Sequence, residues 1–324
     1  MKIGIIGGGI AGMSAAYKLA DRHEVILFEA APLLGGHTAT RDVECGEEVL
    51  PIDTGFIVFN DWTYPHFIAL MDELGVASLP TSMSFSVSDR ASGLEYAGSN
   101  LNTLFAQRRN LLSPRFIGLL REIVHFNDNA ERHLSRDAAV ADMTLGEYLQ
   151  SFSYSASFRD LYLVPMGAAI WSSSQDNMLN IPLRFFLRFF RNHGLLNIKN
   201  RPQWRVIKGG SREYIAPLTR KYRHNIRLNC AVQSIIRAQD DAGRPVVEVS
   251  SSQGRDYFDH VVVACHSDQA LAILGDASEA EKSVLGSIPY FNNEVALHHD
   301  TRLLPSNRRC WSSWNVCLND GDNS

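Results

Sequence analysis

The stretch that decides the fold is KIGIIGGGIAG at residues 2–12, which is followed by HEVILF at 23–28. The β-branched run before the glycines predicts a buried parallel strand, and the alanine-rich stretch after them predicts a helix. Between the two, Gly7, Gly9 and Gly12 form G-x-G-x-x-G. A strand, a glycine turn and a helix in this order indicate a Rossmann-like α/β fold.

Each element of this turn has a physical role in binding a dinucleotide. Gly7 permits the sharp bend, Gly9 lets the backbone approach a phosphate, and Gly12 lets the helix pack closely on the strand. The start of the helix, with Ile10 and Ala11, presents unpaired N–H groups and the positive end of the helix dipole. The turn therefore predicts a pyrophosphate site, and the alternative is a tight turn without a ligand.

A second stretch, FEAAPLLGGHT at 28–38, indicates which nucleotide is bound. Glu29 ends the second strand, where an acid accepts hydrogen bonds from an adenosine ribose and disfavours a 2′-phosphate. Gly35 and Gly36 follow six and seven positions later, ahead of His37 and Thr38. The pattern E-x5-G-G resembles the extended fingerprint of FAD-binding oxidoreductases, so the expected cofactor is FAD.

These motifs resemble the superfamily of FAD-dependent amine oxidases, protoporphyrinogen oxidases and phytoene desaturases. GGHTAT and PIDTGFIVFN at 51–60 are most similar to bacterial flavin-containing amine oxidase relatives associated with cyclopropane fatty-acid synthases. The resemblance implies a glutathione-reductase-like FAD-binding domain interleaved with an α+β substrate domain. The expected FAD domain comprises 1–60 and 200–284, and the substrate domain comprises 61–199 and 285–324.

The resemblance places further residues near the cofactor, namely Asp53, Gly55, Val232 and Ala264. Asp53 is alternatively a turn-forming residue, and Val232 and Ala264 are alternatively core residues at strand ends. His37 stands where amine oxidases of this superfamily usually have an arginine, which binds phosphate through fixed donors. His37 is therefore either a phosphate or flavin contact or a structural histidine.

The later part of the chain gives three more expectations from the resemblance. Ser211, after Gly209-Gly210, is expected to be the N-cap of a helix that re-enters the FAD domain. The stretch 289–300 is expected to be a substrate-domain strand, and Asn293 falls near the position where amine oxidases carry a lysine, which argues against amine oxidation. Because 321–324 reads GDNS with no helix after it, the segment that closes the flavin pocket is expected to be missing and FAD binding to be weak.

The stretch PLRFFLRFFRNHGLL at 182–196 offers a candidate interaction surface. Arg184, Arg188 and Arg191 recur at helical spacing, with phenylalanines on the other side. A basic amphipathic helix can lie on an anionic membrane and admit a lipid. The alternative is an aromatic core helix with a solvated arginine edge.

Composition limits the remaining function classes. With 324 residues and 45% hydrophobic content, the chain can bury a large core. The 31 basic and 35 acidic residues form no long run of one sign, so nucleic acid is not an expected partner. Five cysteines without a C-x-x-C pair indicate neither a disulfide framework nor a metal site. We expect a cytoplasmic protein, peripheral at most to the inner membrane face.

The expected function is an FAD-dependent oxidoreductase that removes a hydride from a carbon centre of an apolar, lipid-like small molecule. The flavin performs the redox step, so this chemistry requires few catalytic side chains, and the sequence identifies none. Two alternatives stay open. One is a non-catalytic binding protein on the flavin fold, and the other is a double-bond isomerase that uses reduced FAD.

Overall fold

The computed structural model describes residues 1–171 and 175–318, without the side chains of 175 and 176. The expectation about Gly321 and Asp322 lies outside the described residues. The strands are β1 (Lys2–Ile6), β2 (Glu24–Phe28), β3 (Thr40–Cys45), β4 (Glu48–Asp53), β5 (Phe59–Asn60), β6 (Ser78–Thr81), β7 (Phe85–Asp89), β8 (Leu94–Ala97), β9 (Trp204–Ile207), β10 (Ile226–Arg227), β11 (Val232–Gln239), β12 (Pro245–Ser251), β13 (Gly254–Phe258), β14 (His260–Val263) and β15 (Trp314–Leu318).

The α-helices are α1 (Ile10–Leu19), α2 (Pro65–Leu74), α3 (Leu101–Leu104), α4 (Pro114–Arg136), α5 (Ala138–Ala141), α6 (Leu145–Ser151), α7 (Ala156–Phe158), α8 (Val164–Trp171), α9 (Gln175–Leu179), α10 (Leu183–Asn192), α11 (Ile215–Thr219), α12 (Ser267–Ile273) and α13 (Glu279–Leu285). Two 3₁₀ helices matter below, Arg108–Leu112 and Ser211–Tyr214.

The chain divides into two compact units. The first comprises Met1–Val58, His66–Leu79 and Val206–Ala296, and the second comprises Phe59–Pro65, Pro80–Arg205 and Leu297–Ser324. Both units are discontinuous, as an interleaved architecture requires. The boundaries differ from the predicted ones because His66–Leu79, with nearly all of α2, and the residues after α13 up to Ala296 belong to the first unit. Residues 59–60 and 200–205, in turn, belong to the second unit.

Packing explains why α2 belongs to the first unit. The ring of Phe67 lies 5.3 Å from that of Phe56 and 5.9 Å from that of Tyr214, both in edge-on geometry. At the other end of α2, Glu73 accepts hydrogen bonds from Tyr17 and Lys18 of α1. A helical pattern in the sequence does not show which neighbours a helix will have.

The first unit is built on a parallel sheet with the strand order β10-β2-β1-β14. The register pairs Ile3 with Val25 and with His260, so β1 lies in the middle of the sheet. Helix α1 connects β1 to β2 as the crossover of a βαβ unit. The predicted α/β, Rossmann-like fold is confirmed.

A three-stranded antiparallel meander, β11-β12-β13, covers one face of this sheet. Ile6, Ile26 and Phe28 of the parallel strands share a core with Val249 and Phe258 of the meander. A Cβ at Gly4 would lie 3.2 Å from the Phe258 ring, so the two layers approach closely there. The strand residues in between, including Ile5 and Leu27, are buried on the opposite face, as the two-residue period requires.

The second unit is mainly helical and has a large aromatic core. Its sheet has the order β15-β7-β8. The N-cap of α4 is Ser113, whose hydroxyl accepts the Phe116 N–H. Phe126 of α4 is fully buried, and its ring lies 5.4 Å from Phe158 and 6.1 Å from Tyr148. Side-chain volume therefore defines this interior.

The predicted strand at 289–300 is wrong. This stretch forms no regular element, and Asn293 is exposed. Tyr290 is held by other means, since its ring stacks on His266 at 4.6 Å and its hydroxyl accepts the Ser267 N–H at 3.0 Å. An extended stretch forms a strand only when a neighbouring strand supplies backbone partners, and no strand of the described chain pairs with this stretch.

Candidate functional site

The predicted cofactor residues of the first unit meet at one edge of the parallel sheet. The glycine turn follows β1, Glu29 follows β2, and Ala264 follows β14. The carboxyl ends of parallel strands face the same edge, where open α/β sheets bind ligands. The neighbouring β10 ends close by, because the Cys230 N–H donates to the Glu29 carbonyl at 2.9 Å.

At two positions of the turn only glycine fits, because other backbone atoms lie too close for a side chain. Gly7 has a φ of +107°, and a Cβ there would lie 2.8 Å from the carbonyl oxygen of Ala264. A Cβ at Gly12 would lie 1.9 Å from the carbonyl oxygen of Gly7. Helix α1 therefore reaches the sheet only because position 12 has no side chain.

Gly9 differs from these two glycines. It is the N-cap of α1 with an ordinary φ of −74°, and a Cβ there would meet nothing within 4 Å. The space beside it is open at the point where the first N–H groups of α1, from Ile10 onward, have no intrahelical acceptor. Unpaired N–H groups and the helix dipole attract an anion, so these residues fit the pyrophosphate of a dinucleotide.

Glu29 is held in place by the backbone. Its Oε2 accepts the Gly8 N–H at 2.7 Å, and its Oε1 accepts the Ala31 N–H at 2.8 Å. Each carboxylate oxygen keeps a second lone pair for a ribose hydroxyl. A Cβ at Gly8 would lie 2.8 Å from Oε2, so this glycine makes the contact feasible. The sequence reasoning missed Gly8, although three consecutive glycines were a visible signal.

The paired glycines pack directly on the first turn. Gly35 and Gly36 have φ values of +129° and +58°, and the Gly35 N–H donates to the Gly8 carbonyl at 2.9 Å. A Cβ at Gly36 would lie 3.3 Å from the Cα of Gly9. The second glycine turn thus lies beside the open space at Gly9, where it leaves room for a ligand.

Thr38 is buried, and its hydroxyl is hydrogen-bonded to the hydroxyl of Tyr214. Burial raises the pKa of Tyr214, so its hydroxyl stays protonated at neutral pH. The Thr38 N–H donates to the Gly35 carbonyl at 3.0 Å, which closes the turn around the glycine pair. In this structure Thr38 shapes the turn, and its contact with the cofactor stays a prediction.

His37 is exposed and belongs to a stack of three rings. Its ring centroid lies 5.4 Å from that of His266, which in turn stacks on Tyr290. His266 lies two residues after Ala264 and was missed by the sequence reasoning, because the stack joins three distant parts of the chain. The stack flanks the glycine turns, and contact between His37 and a phosphate or flavin stays a prediction.

Asp53 is occupied by protein groups. Its carboxylate accepts the Ser211 N–H at 2.9 Å, the Ser211 hydroxyl at 2.7 Å and the Thr40 hydroxyl at 2.6 Å. Gly55 packs on the backbone, since a Cβ there would lie 2.2 Å from the His37 carbonyl oxygen. Both residues hold the loop that carries His37, and direct cofactor contact by either one stays a prediction.

The predicted N-cap role of Ser211 is wrong. Gly210, with a φ of +91°, is the N-cap of the 3₁₀ helix Ser211–Tyr214, and no side chain caps this helix. The Ser211 hydroxyl donates to Asp53 instead. A half-buried carboxylate with several donors competes successfully for a serine hydroxyl that would otherwise cap its own helix.

Val232 and Ala264 are the two remaining residues that were predicted to lie near the cofactor. Val232 begins β11 and packs partly buried against the meander core, two residues after the Cys230 contact with Glu29. The Ala264 N–H donates to the Ile6 carbonyl at 2.8 Å. Burial raises the pKa of the adjacent Cys265 thiol, so this cysteine is protonated at neutral pH and is a poor nucleophile.

Helix α10 in the second unit has the predicted two-sided character. Leu183, Phe186, Leu187 and Phe190 are buried, whereas Arg184 and Arg188 are exposed. Arg191 pairs with Glu131 at 3.4 Å. Membrane contact through this helix stays a prediction.

No three His, Cys, Asp or Glu side chains among the described residues are grouped so that they could hold a metal ion. None of the described helices combines the length and apolar character needed to cross a membrane.

Fold and site together define a dinucleotide-binding α/β protein, and comparison with known proteins gives the family. The model for flavin-containing amine oxidoreductases matches residues 10–293. The chain belongs to this family. The predictions of the superfamily, of FAD as cofactor and of the oxidoreductase class are confirmed at the level of the family.

Individual relatives support the fold. The chain is similar to the carotenoid phi-ring synthase of Chlorobaculum tepidum, with 46% identity over 61 residues, which are 18% of this chain and 9% of that protein. The structure resembles cyclohexylamine oxidase from Brevibacterium oxydans, with a TM-score of 0.63 and 21% identity over 88% of this chain and 62% of that one. It also resembles a CLA-producing fatty acid isomerase from P. acnes, with a TM-score of 0.60 and 17% identity over 88% of this chain and 63% of that one. The chain thus spans less than two thirds of the length of these proteins.

Proposed function

We propose that this protein is an FAD-dependent oxidoreductase that removes a hydride from a carbon centre of an apolar, lipid-like substrate. The observation that carries the proposal is the open space at Gly9, which lies between the start of α1 and the paired glycines. Glu29 is already oriented at the end of the neighbouring strand. An anion-binding turn beside a ribose acceptor fits a dinucleotide.

The chain itself supplies binding and orientation. The first N–H groups of α1 would hold the pyrophosphate, and Glu29 would accept hydrogen bonds from the ribose. Gly36 leaves the approach free of a side chain. FAD, when bound, supplies a two-electron acceptor for the hydride. Burial raises the pKa values of the Cys265 thiol and the Tyr214 hydroxyl, so both groups stay protonated at neutral pH.

An apolar substrate is supported by the names of two relatives. These names specify a carotenoid and a fatty acid. Cyclohexylamine oxidase, in contrast, has an amine in its name, so the experiment below compares the two substrate classes.

Anaerobic reduction of bound flavin tests the proposal. The FAD-loaded chain is mixed with an unsaturated fatty acid, a carotenoid or cyclohexylamine, and the absorbance of oxidised flavin is followed. Bleaching by an apolar compound and not by the amine is the expected result. Double-bond migration by pre-reduced enzyme, without bleaching of oxidised enzyme, would favour the isomerase. Flavin binding with neither reaction would favour a non-catalytic binding protein.

A further inference from the structure

The second unit has an exposed apolar edge. We call it the leucine edge, formed by Leu101, Arg108, Arg109, Leu111, Leu112 and Arg115. Its leucines are 74%, 51% and 89% exposed, in chain order. Leucine is usually buried, so three such side chains within one short stretch are unusual for a surface in contact with water alone.

Hydrogen bonds make the leucine edge one continuous surface. Leu101 begins α3, whereas Leu111 and Leu112 end the 3₁₀ helix just before α4. Arg108 connects the two, because its guanidinium donates to the Phe105 carbonyl at 2.8 Å and to the Asn102 side chain. The exposed leucines therefore belong to a structured surface.

The positive charge of the leucine edge is uncompensated. Residues 101–116 contain three arginines and no acidic residue. Besides the Arg108 bonds, Arg109 donates to the Gly93 carbonyl at 2.9 Å and Arg115 to the Ser157 hydroxyl at 3.0 Å. All of these acceptors are neutral, and none of the ion pairs among the described residues involves these three arginines. The arginines remain available to an external anion.

A cavity of about 270 Å³ opens beside these arginines. Arg109 and Arg115 are exposed at its mouth, and Phe116, Leu119 and Leu161 are buried at its inner end. A cationic mouth over an apolar interior matches a molecule with an anionic head and an apolar body. The cavity and the leucines thus favour the same kind of partner.

We propose that the leucine edge docks on an anionic lipid surface. The leucines enter the boundary between headgroups and acyl chains, and the three arginines contact lipid phosphates. Helix α10 is the weaker candidate, because it exposes one large apolar side chain, Phe185 at 55%, and Arg191 is already paired. The proposal rests on surface chemistry alone and does not require the proposed oxidation.

Vesicle co-sedimentation of the full chain tests this proposal. Vesicles of phosphatidylcholine alone are compared with vesicles that also contain phosphatidylglycerol, at low and at physiological salt. Binding is expected only with the anionic lipid and is expected to fall with salt because screening weakens contacts between exposed charges. The double variant Arg109→Gln with Arg115→Gln is expected to weaken binding about five-fold per arginine. Leu111→Ser with Leu112→Ser is expected to weaken it at least about ten-fold.

The matched control is Arg184→Gln with Arg188→Gln, which removes the same charge from α10. It should bind nearly as well as the parent chain. Melting temperatures show whether each variant is folded. If the double leucine variant is not folded, the single change Leu112→Ser is measured in its place. The proposal would be overturned if the parent chain did not bind anionic vesicles. It would also be overturned by a loss of binding in the α10 control with none in the leucine-edge variants.

Discussion

In the first unit, backbone atoms define the site, whereas in the second unit side chains define the interior. Gly7 and Gly12 matter because a single added carbon would collide with a carbonyl oxygen. Phe126 matters because its ring fills space between Tyr148 and Phe158. The first kind of constraint demands a particular residue type, and the second demands only volume. The difference explains why motifs are found in one unit and not in the other.

The largest expected effect is on the second unit. Phe126→Ala leaves a cavity in the aromatic core and should lower the free energy of unfolding by about 4 kcal/mol. Denaturant titration followed by circular dichroism measures this loss. The control is Phe185→Ala, because that side chain is 55% exposed and its loss should cost less than about 1 kcal/mol. Equal effects of the two changes would mean that core volume does not govern this unit.

Within the first unit, Gly12→Val and Gly9→Val should separate folding from binding. Gly12→Val drives a side chain into the Gly7 carbonyl and should destabilise the protein by about 3 kcal/mol. Gly9→Val meets no protein atom and should cost about 1 kcal/mol as a poorer N-cap. It should nevertheless lower FAD content strongly. Thermal unfolding and protein-bound flavin are measured for both, and full flavin loading of Gly9→Val would disprove the phosphate position.

Glu29→Gln tests the side chain that is expected to accept hydrogen bonds from the ribose. Loss of the charge should weaken FAD binding by about 2 kcal/mol, because hydrogen bonds to charged groups are worth roughly 1.5–3 kcal/mol. Fluorescence titration with FAD measures the affinity. Glu24→Gln removes the same charge at the exposed start of β2, the strand that Glu29 follows, and should leave affinity unchanged. Indistinguishable affinities for the two variants would contradict the ribose assignment.

The smallest effect concerns the start of α13, a place in the first unit where side chains do fix the backbone. Hydrogen bonds from the Ser278 N–H and hydroxyl, together with Arg237, lower the pKa of Glu281 to about 2. Its contribution to stability is complete above the unfolded pKa of about 4.5 and is lost as the pH falls towards 2. Glu281→Gln should therefore show a shallower loss of melting temperature between these pH values. Glu279→Gln, in the same turn, is the control, and identical profiles for parent and Glu281→Gln would argue against the cap.

The fold and the first glycine turn could be predicted because no other residue type can replace Gly7 or Gly12 at its position. Gly7, with its left-handed φ, and Gly12, with its backbone contact, leave this requirement visible in the sequence. The strand at 289–300 could not be judged in the same way. It was expected from the resemblance alone, and a strand also needs partners that only the tertiary structure provides.

Other misses have the same physical origin. The Ser211 hydroxyl had two acceptable roles, and the choice depended on Asp53, which is 158 positions away. The stack of His37, His266 and Tyr290 likewise joins residues with no common sequence signal. Long-range side-chain contacts of this kind leave no local pattern, so they became visible only in the structure.

The place of β1 in the parallel sheet determines when the protein can acquire its cofactor. One edge of β1 pairs with β2, but the other pairs with β14, so that Ile3 lies opposite His260. During synthesis on the ribosome, the glycine turn emerges before β14, and Ala264 cannot close it until that strand has been made. The long-range pairing makes this step slow compared with local helix formation. FAD can therefore join the complete site only after β14 has been synthesised and has paired with β1.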